Sequence, residues 1–245
     1  MTEFLLANEP TIRLVIFVGV LVVMALWEAM APRRRDITRI VRWTSNLGIV
    51  VVNTVVLRLV FPTAAVGFAA VAETQGWGLF NVFEAPTWVA FLVAVVVLDV
   101  AIYIQHVMFH AVPVLWRLHR MHHADLGFDV TTGLRFHPVE IVLSMVFKIA
   151  VLAALGAPVA AVLVFEIVLN ATAMFNHGNV RLPRGLDAML RLFVVTPDMH
   201  RVHHSIVPAE TNSNFGFNMP WWDRLFGTYR AQPAAGHDAM TIGIE

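Results

Sequence analysis

Cysteine is absent from the 245 residues, which excludes disulfides, thiolate metal sites and a thiol nucleophile and leaves the redox compartment unmarked. Charge is scarce too. Only 14% of the residues are Asp, Glu, Lys or Arg, against about 25% in soluble domains, so the chain is not built to face water on every side. The formal net charge is zero, and no global field points to nucleic acid. No C-x-x-C, G-x-G-x-x-G or H-E-x-x-H occurs, which removes the usual marks of thiol redox, dinucleotide and zinc-protease sites. The opening "MTEFLLANEP" has neither a basic n-region nor a small-residue cleavage site, so no removable signal peptide is expected.

What fills the chain is oil: 58% of it is hydrophobic. A spanning helix needs about 20 mostly apolar residues. Residues 11–30 satisfy this, with Arg13 and Glu28 close enough to the ends to snorkel. Residues 46–72 form a second candidate, interrupted by Arg58 and Pro62. Residues 87–110 form a third. Residues 139–175 are too long for one pass, and the "GAP" at 156–158 predicts a break into a helical hairpin. The expected architecture is an all-α polytopic membrane protein, a single domain over 1–245. About four transmembrane helices carry a histidine-rich helical cap, and the catalytic core lies at about 90–230.

Arginine sets the orientation. The loop after the first span holds Arg33, Arg34, Arg35, Arg39 and Arg42, and the loop after the second holds no lysine or arginine. The positive-inside rule puts the first loop in the cytoplasm. The histidines and the C-terminus then follow on that same side.

The histidines carry the chemistry. "DVAIYIQHVMFH" ends the third span with His106 and His110 four apart, on one helical face. "HRMHH" (His119, His122, His123) and "HRVHH" (His200, His203, His204) repeat an H-x-x-H-H pattern whose spacings again converge on one face. Eight imidazoles packed without metal would repel one another and be poorly solvated. Imidazole suits iron, zinc or copper, whereas magnesium or calcium would want oxygen ligands. His237, in the polar tail, reads as an ordinary solvated or hydrogen-bonded side chain and is given no role. A membrane haem protein, a metal transporter, a zinc hydrolase and a metal-binding or electron-transfer protein without oxygenase activity are the competing classes. Haem needs only a few axial histidines, a transporter needs ligands at the bilayer midplane, and three ligands satisfy a catalytic zinc.

Together with "TTGLRFHPVE", "FNHGNVRLP", "TPDMHRVHH" and "TNSNFGFNMPWWDRLFGTYR" in this order, the boxes resemble the fatty acid hydroxylase/sterol desaturase superfamily of integral-membrane di-iron enzymes. That resemblance implies an O2-dependent oxygenase that hydroxylates or desaturates a lipid such as a sterol or fatty acyl chain. It implies two iron ions held by the eight boxed histidines and by His177 of "FNHGN", and a separate electron-donor protein or reductase. His137 of "RFHP" is implied as a ligand or a partner of the ligands. Val107 stands where relatives often have arginine, so no salt bridge is implied there. Asp99, two turns before His106, is expected to fix a histidine folded back from another box, and Asp198 to serve the last box in the same way. Tryptophans, notably in "NMPWWDRLFG", suggest anchoring at headgroup level, and lateral entry of the lipid between spans is expected.

Overall fold

A computed structural model describes residues 2–35 and 39–244. The long elements are α1 (Thr2–Met30), α2 (Arg39–Val60), α3 (Ala64–Thr74), the short α4 (Leu79–Val82), α5 (Thr87–Ala111), α6 (Pro113–His123), α7 (Pro138–Leu155) and α8 (Val159–Asn176). Short helices follow: α9 (Arg184–Leu190), α10 (Pro197–His203), α11 (Pro208–Thr211), α12 (Trp221–Leu225) and α13 (Gly236–Ala239). A 3-10 turn covers Thr132–Leu134. Among the described residues the only β pairing is two isolated bridges, Pro32 with Val180 and Ser205 with Ile242.

Five helical stretches are long and apolar enough to cross a membrane: Thr2–Met30, Arg39–Val82, Thr87–Ala111, Pro138–Leu155 and Val159–Asn176. The count agrees with the expectation of about four, and the hairpin expected from the break at 156–158 is formed by α7 and α8. Gly156 caps α7 in the left-handed region at φ 66°, and a Cβ there would sit 2.3 Å from the Trp77 carbonyl oxygen, so only glycine fits. The 39–82 stretch is broken after Val60, where Pro62 cannot continue the helical hydrogen bonding.

Polarity is distributed inside out. Val15, Val23 and Leu26 of α1 are exposed, while Glu9 and Glu28 of the same helix are buried. Apolar side chains cost nothing against lipid, but carboxylates there must find partners within the protein. Glu28 does not snorkel. It accepts hydrogen bonds from the backbone N–H groups of Val130 (2.7 Å) and Asn179 (2.8 Å) and from Arg39 (2.9 Å), tying α1 to two loops at once. Arg13 likewise turns inward, to Glu9 at 2.7 Å and Glu166 at 3.3 Å. Glu166 also pairs with Lys148.

The main core joins α3, α5 and α8 through Ala65, Ala69, Ala94 and Ala161, each fully buried, and α7 enters it through Met145 and Leu152. Small residues let the helices approach closely where no hydrophobic drive exists between them. α1 packs chiefly on α8, and α2 on α7. The C-terminal ends of α5 and α8 and the N-terminal end of α7 therefore meet at one end of the bundle, with α6 and α10 lying across it.

Candidate metal centre

Local sequence brings the boxes to that end. α5 delivers His106 and His110 on its last two turns. Val112 is extended (φ −95°, ψ 116°) and Pro113 starts α6, so the chain reverses and carries His119, His122 and His123 back over α5. α10 starts at Pro197, capped by the Thr196 side chain accepting from Met199 N–H at 3.3 Å. His177 follows α8 as its C-cap, with its ring against the 3-10 turn. Gly133 permits that contact. A Cβ at Gly133 would lie 2.4 Å from the Ala173 oxygen and 2.9 Å from His177 Nδ1.

The nine histidines form two groups. His106, His110, His119, His123 and His203 make one, and His122, His177, His200 and His204 the other. Within each group one nitrogen per residue lies within 4.8 Å of all the others. Each H-x-x-H-H box is divided. α6 sends its i, i+4 pair His119 and His123 to the first group and His122 to the second. α10 does the reverse, sending His200 and His204 to the second group and His203 to the first. From the sequence each box lies on one helical face; the structure divides that face, because adjacent histidines point about 100° apart on a helix and the two of each "HH" pair enter different groups.

The Nδ1 atoms are held by acceptors. His106 Nδ1 meets the Phe215 carbonyl oxygen at 2.8 Å, His203 Nδ1 the Ser213 oxygen at 2.8 Å, and His177 Nδ1 the Ala173 oxygen at 2.7 Å. His122 Nδ1 meets the Arg135 oxygen at 3.2 Å, His110 Nδ1 the Asn212 side-chain oxygen at 3.2 Å, and His119 Nδ1 the Glu140 carboxylate at 2.6 Å. Since each partner only accepts, these nitrogens carry the proton and each Nε2 is a bare lone pair. In each group two such lone pairs face each other: His106 Nε2 and His119 Nε2 at 3.1 Å, and His122 Nε2 and His177 Nε2 at 3.1 Å. Neither can donate to the other.

Further nitrogens are buried without hydrogen-bond partners among the described residues: both of His123, both of His200, Nε2 of His110 and of His203, and Nδ1 of His204. An unpaired buried polar group costs about 1–3 kcal/mol, so so many together call for a ligand that accepts lone pairs. Burial pushes His122, His123, His200, His203 and His204 well below the usual histidine range, with neighbouring imidazoles adding to the effect, and takes His177 down to about 3. The neutral ring is the form that binds metal.

Three expected site residues are placed elsewhere. His137 is the N-cap of α7, its Nδ1 accepting from Val139 N–H at 3.1 Å, and belongs to neither group. Asp99 reaches no histidine; its Oδ2 accepts from Trp222 Nε1 at 2.7 Å. Helical rise carries it about 10 Å from His106, and α12 rather than a histidine box covers that face. The Trp222 indole N–H is thus spent on Asp99. Asp198 meets Arg33 (3.4 Å) and Arg201 (3.6 Å), with His237 Nε2 at 3.9 Å, and no histidine of either group. His237 is therefore buried, at 6% exposure, rather than solvated.

Other residues of the site are invisible in the histidine pattern. Glu140 orients His119. Asp223 accepts from the N–H groups of Phe215 (2.8 Å) and Gly216 (2.9 Å), fixing the loop whose carbonyls anchor His106 and His203. Arg42, read only as a topology signal, bonds Asp125 at 2.9 Å and Asp129 at 2.8 Å. The acids at 125, 129, 140 and 223 are legible in the sequence only as charges in a chain that carries few.

A cavity of about 570 Å³ reaches the first group. His106, His119, Phe109 and Phe136 form its floor, Ile102, Leu57 and Met145 its apolar walls, and Lys148, Glu166 and Arg13 also line it. Leu14 of α1 and Thr54 of α2 line it as well, and both are exposed, so the cavity reaches the outer surface between these two helices.

The profile of the family described as fatty acid hydroxylase matches residues 91–228, the stretch that supplies every histidine of both groups. The chain belongs to the fatty acid hydroxylase family. As a member of that family with five apolar helices of spanning length, it is an integral, multi-pass membrane protein. Ornithine lipid hydroxylase OlsE of Rhizobium tropici is 34% identical over 157 residues, 62% of this chain and 45% of that protein. Alkylglycerol monooxygenase of Homo sapiens is 27% identical over 165 residues, 64% of this chain and 34% of that protein. The Danio rerio alkylglycerol monooxygenase is 31% identical over 160 residues, 62% of this chain and 34% of that protein. The fatty acid hydroxylase chain thus spans less than half the length of these relatives. No solved structure matches it significantly.

Proposed function

We propose that this chain is an O2-dependent lipid hydroxylase in which each histidine group holds one iron ion. The carrying observation is the pair of anchored Nε2 lone pairs facing each other at 3.1 Å in each group, an arrangement that a shared metal ion relieves. Imidazole ligation suits iron. The five-residue group would use His106, His110, His119, His123 and His203, and the four-residue group His122, His177, His200 and His204. Bound iron would supply the reductive activation of dioxygen that no side chain can perform. One oxygen atom enters a C–H bond and the other leaves as water, with two electrons and two protons consumed. The electrons come from a separate donor protein.

The protein's own part is to position and to exclude. Backbone carbonyls and Glu140 hold the imidazoles in one tautomer. The apolar walls keep water from the cavity and line up an aliphatic chain above His106 and His119. A lipid enters from the bilayer between α1 and α2, where the cavity meets the surface. The relatives are named for ornithine lipid and alkylglycerol, which supports a lipid substrate and hydroxylation over desaturation. Arg33, Arg34, Arg39 and Arg42 lie at the histidine end, bonded to Asp198, Asn179, Glu28 and Asp125. By the positive-inside rule, that end and the C-terminus face the cytoplasm. Residues 1–245 act as one domain.

Metal analysis and an optical spectrum of the purified protein, with lipid profiles of cells with and without it, test this reading. Two iron ions per chain, no haem band and a lipid heavier by one oxygen atom are expected. Zinc in their place, or unchanged lipids, would overturn it.

A further inference from the structure

Beyond the last span, two stretches expose large apolar side chains next to each other. Leu192 and Phe193 follow α9, and Trp221, Leu225 and Phe226 lie on or just after α12; Phe193 is 66% exposed and Leu225 69%. The two stretches are joined. Trp221 Nε1 donates to the Leu192 carbonyl oxygen at 2.6 Å, and Arg224 to the Arg191 oxygen at 3.0 Å. A contiguous exposed apolar surface marks a place that something apolar covers.

Helical register shows what lies opposite this one. α8 has 18 residues, about 27 Å by helical rise, which is within the ~30 Å of bilayer hydrocarbon. The second stretch leans on its last two turns: Thr172 bonds the Asn218 side chain, and Asn176 donates to the Phe217 carbonyl oxygen at 3.0 Å. On α5, Trp222 reaches Asp99 at 2.7 Å, and Phe226 stacks on Tyr103 with ring centroids 5.4 Å apart. Both α5 residues precede His106, so they lie toward the bilayer centre, Asp99 by about 10 Å. α12 is therefore level with the spans rather than beyond them, beside a helix whose own Val96 and Ile104 are exposed.

The polar groups of both stretches turn inward, as lipid requires and water does not. Asp187 pairs with Arg191 at 2.8 Å, and Asp223 accepts from the Phe215 and Gly216 N–H groups. Arg224 also lies over the Tyr229 ring at 4.4 Å. The Asn218 carbonyl oxygen accepts from Val195 N–H at 3.0 Å. Arg184 and Arg230, which flank the two stretches in the chain, are exposed and have no ion-pair partner among the described residues, and lipid phosphates can meet them.

We infer that residues 186–193 and 218–226 form an in-plane anchor whose apolar face is sunk among the acyl chains of the leaflet at the histidine end. Elements of this kind lie about 5–10 Å into the boundary between head groups and acyl chains. The tryptophans in the sequence point only to the second stretch and only to headgroup level; the pairing with α9 and the greater depth rest on the bonds above. The histidine centre then lies level with the lipids of that leaflet, not beyond them in water.

The absence of cysteine opens a direct test. The chain carrying Phe193→Cys or Leu225→Cys is labelled with a nitroxide and reconstituted in phosphatidylcholine vesicles, with labelled Leu92→Cys of the α5 span as the immersed reference. Both labels should be relaxed more by O2 than by a water-soluble nickel chelate, as at Leu92, and report a depth of about 5–10 Å. Stronger relaxation by the chelate would put the face in water. Weak relaxation by both would mean that protein, such as a second copy of the chain, covers it. Either result overturns the inference. Trp221 supplies a measurement without cysteine: the emission that distinguishes the wild type from Trp221→Phe should be quenched by phosphatidylcholine with brominated acyl chains. An unquenched difference would count equally against the anchor. Neither readout uses iron or turnover, so the outcome is independent of the hydroxylase reading.

Discussion

The Glu140 carboxylate accepts the Nδ1 proton of His119 at 2.6 Å, joining the first turn of α7 to the box on α6. The bond holds the ring with Nε2 turned toward His106 and makes that nitrogen a stronger donor of its lone pair. Loss of such a partner typically costs about 10–100-fold in metal affinity or activity. Glu140→Gln should fall in that range while inserting normally, as read by retained iron against a chelator and by turnover. Wild-type retention would show that Glu140 merely fills space.

The division of each box between two groups has its own consequence. His203→Ala and His204→Ala remove neighbouring residues but different sites, so each should lower the iron content to about one ion per chain and abolish turnover. Iron content per chain decides. If one substitution emptied both sites and the other neither, the assignment of histidines to two groups would be wrong.

Asp99 and Trp222 bear on stability rather than on metal. Trp222→Phe keeps an aromatic side chain but loses the indole N–H that Asp99 of α5 accepts from, at a cost of about 1–3 kcal/mol. The thermal midpoint in detergent should fall by several degrees with iron per folded chain unchanged. Loss of iron at an unchanged midpoint would return Asp99 to the metal site.

Acid should destabilise the fold. His177 stays neutral down to about pH 3 and His237 to about 4, against 6.5 for the free side chain. Between these limits the unfolded chain binds protons that the folded chain refuses, so stability is complete above pH 6.5 and falls as pH is lowered. At pH 5 the loss is about 2 kcal/mol for His177 alone. Unfolding midpoints compared at pH 7.5 and 5 should show the drop, and a rise on acidification would contradict the burial argument.

Much of this protein is legible in one dimension because its determinants are local. Run length marks the spans, Gly156 and Pro62 mark the breaks, and the three- and four-residue spacings place the boxed histidines on helical faces. The family likeness rests on the same short stretches. What only the tertiary structure decided concerns partners distant in the chain. Helical spacing says where a side chain points, not which element will meet it. The docking of α10 against α6 divides the boxes between two groups. The loop at 213–217 comes to rest on Asp223 and offers its carbonyls to His106 and His203. α12 covers Asp99, which the sequence assigned to a histidine. Glu28 and Arg13 look like end-of-helix charges in the sequence, yet they turn inward because lipid offers them no hydrogen bonds and the protein does.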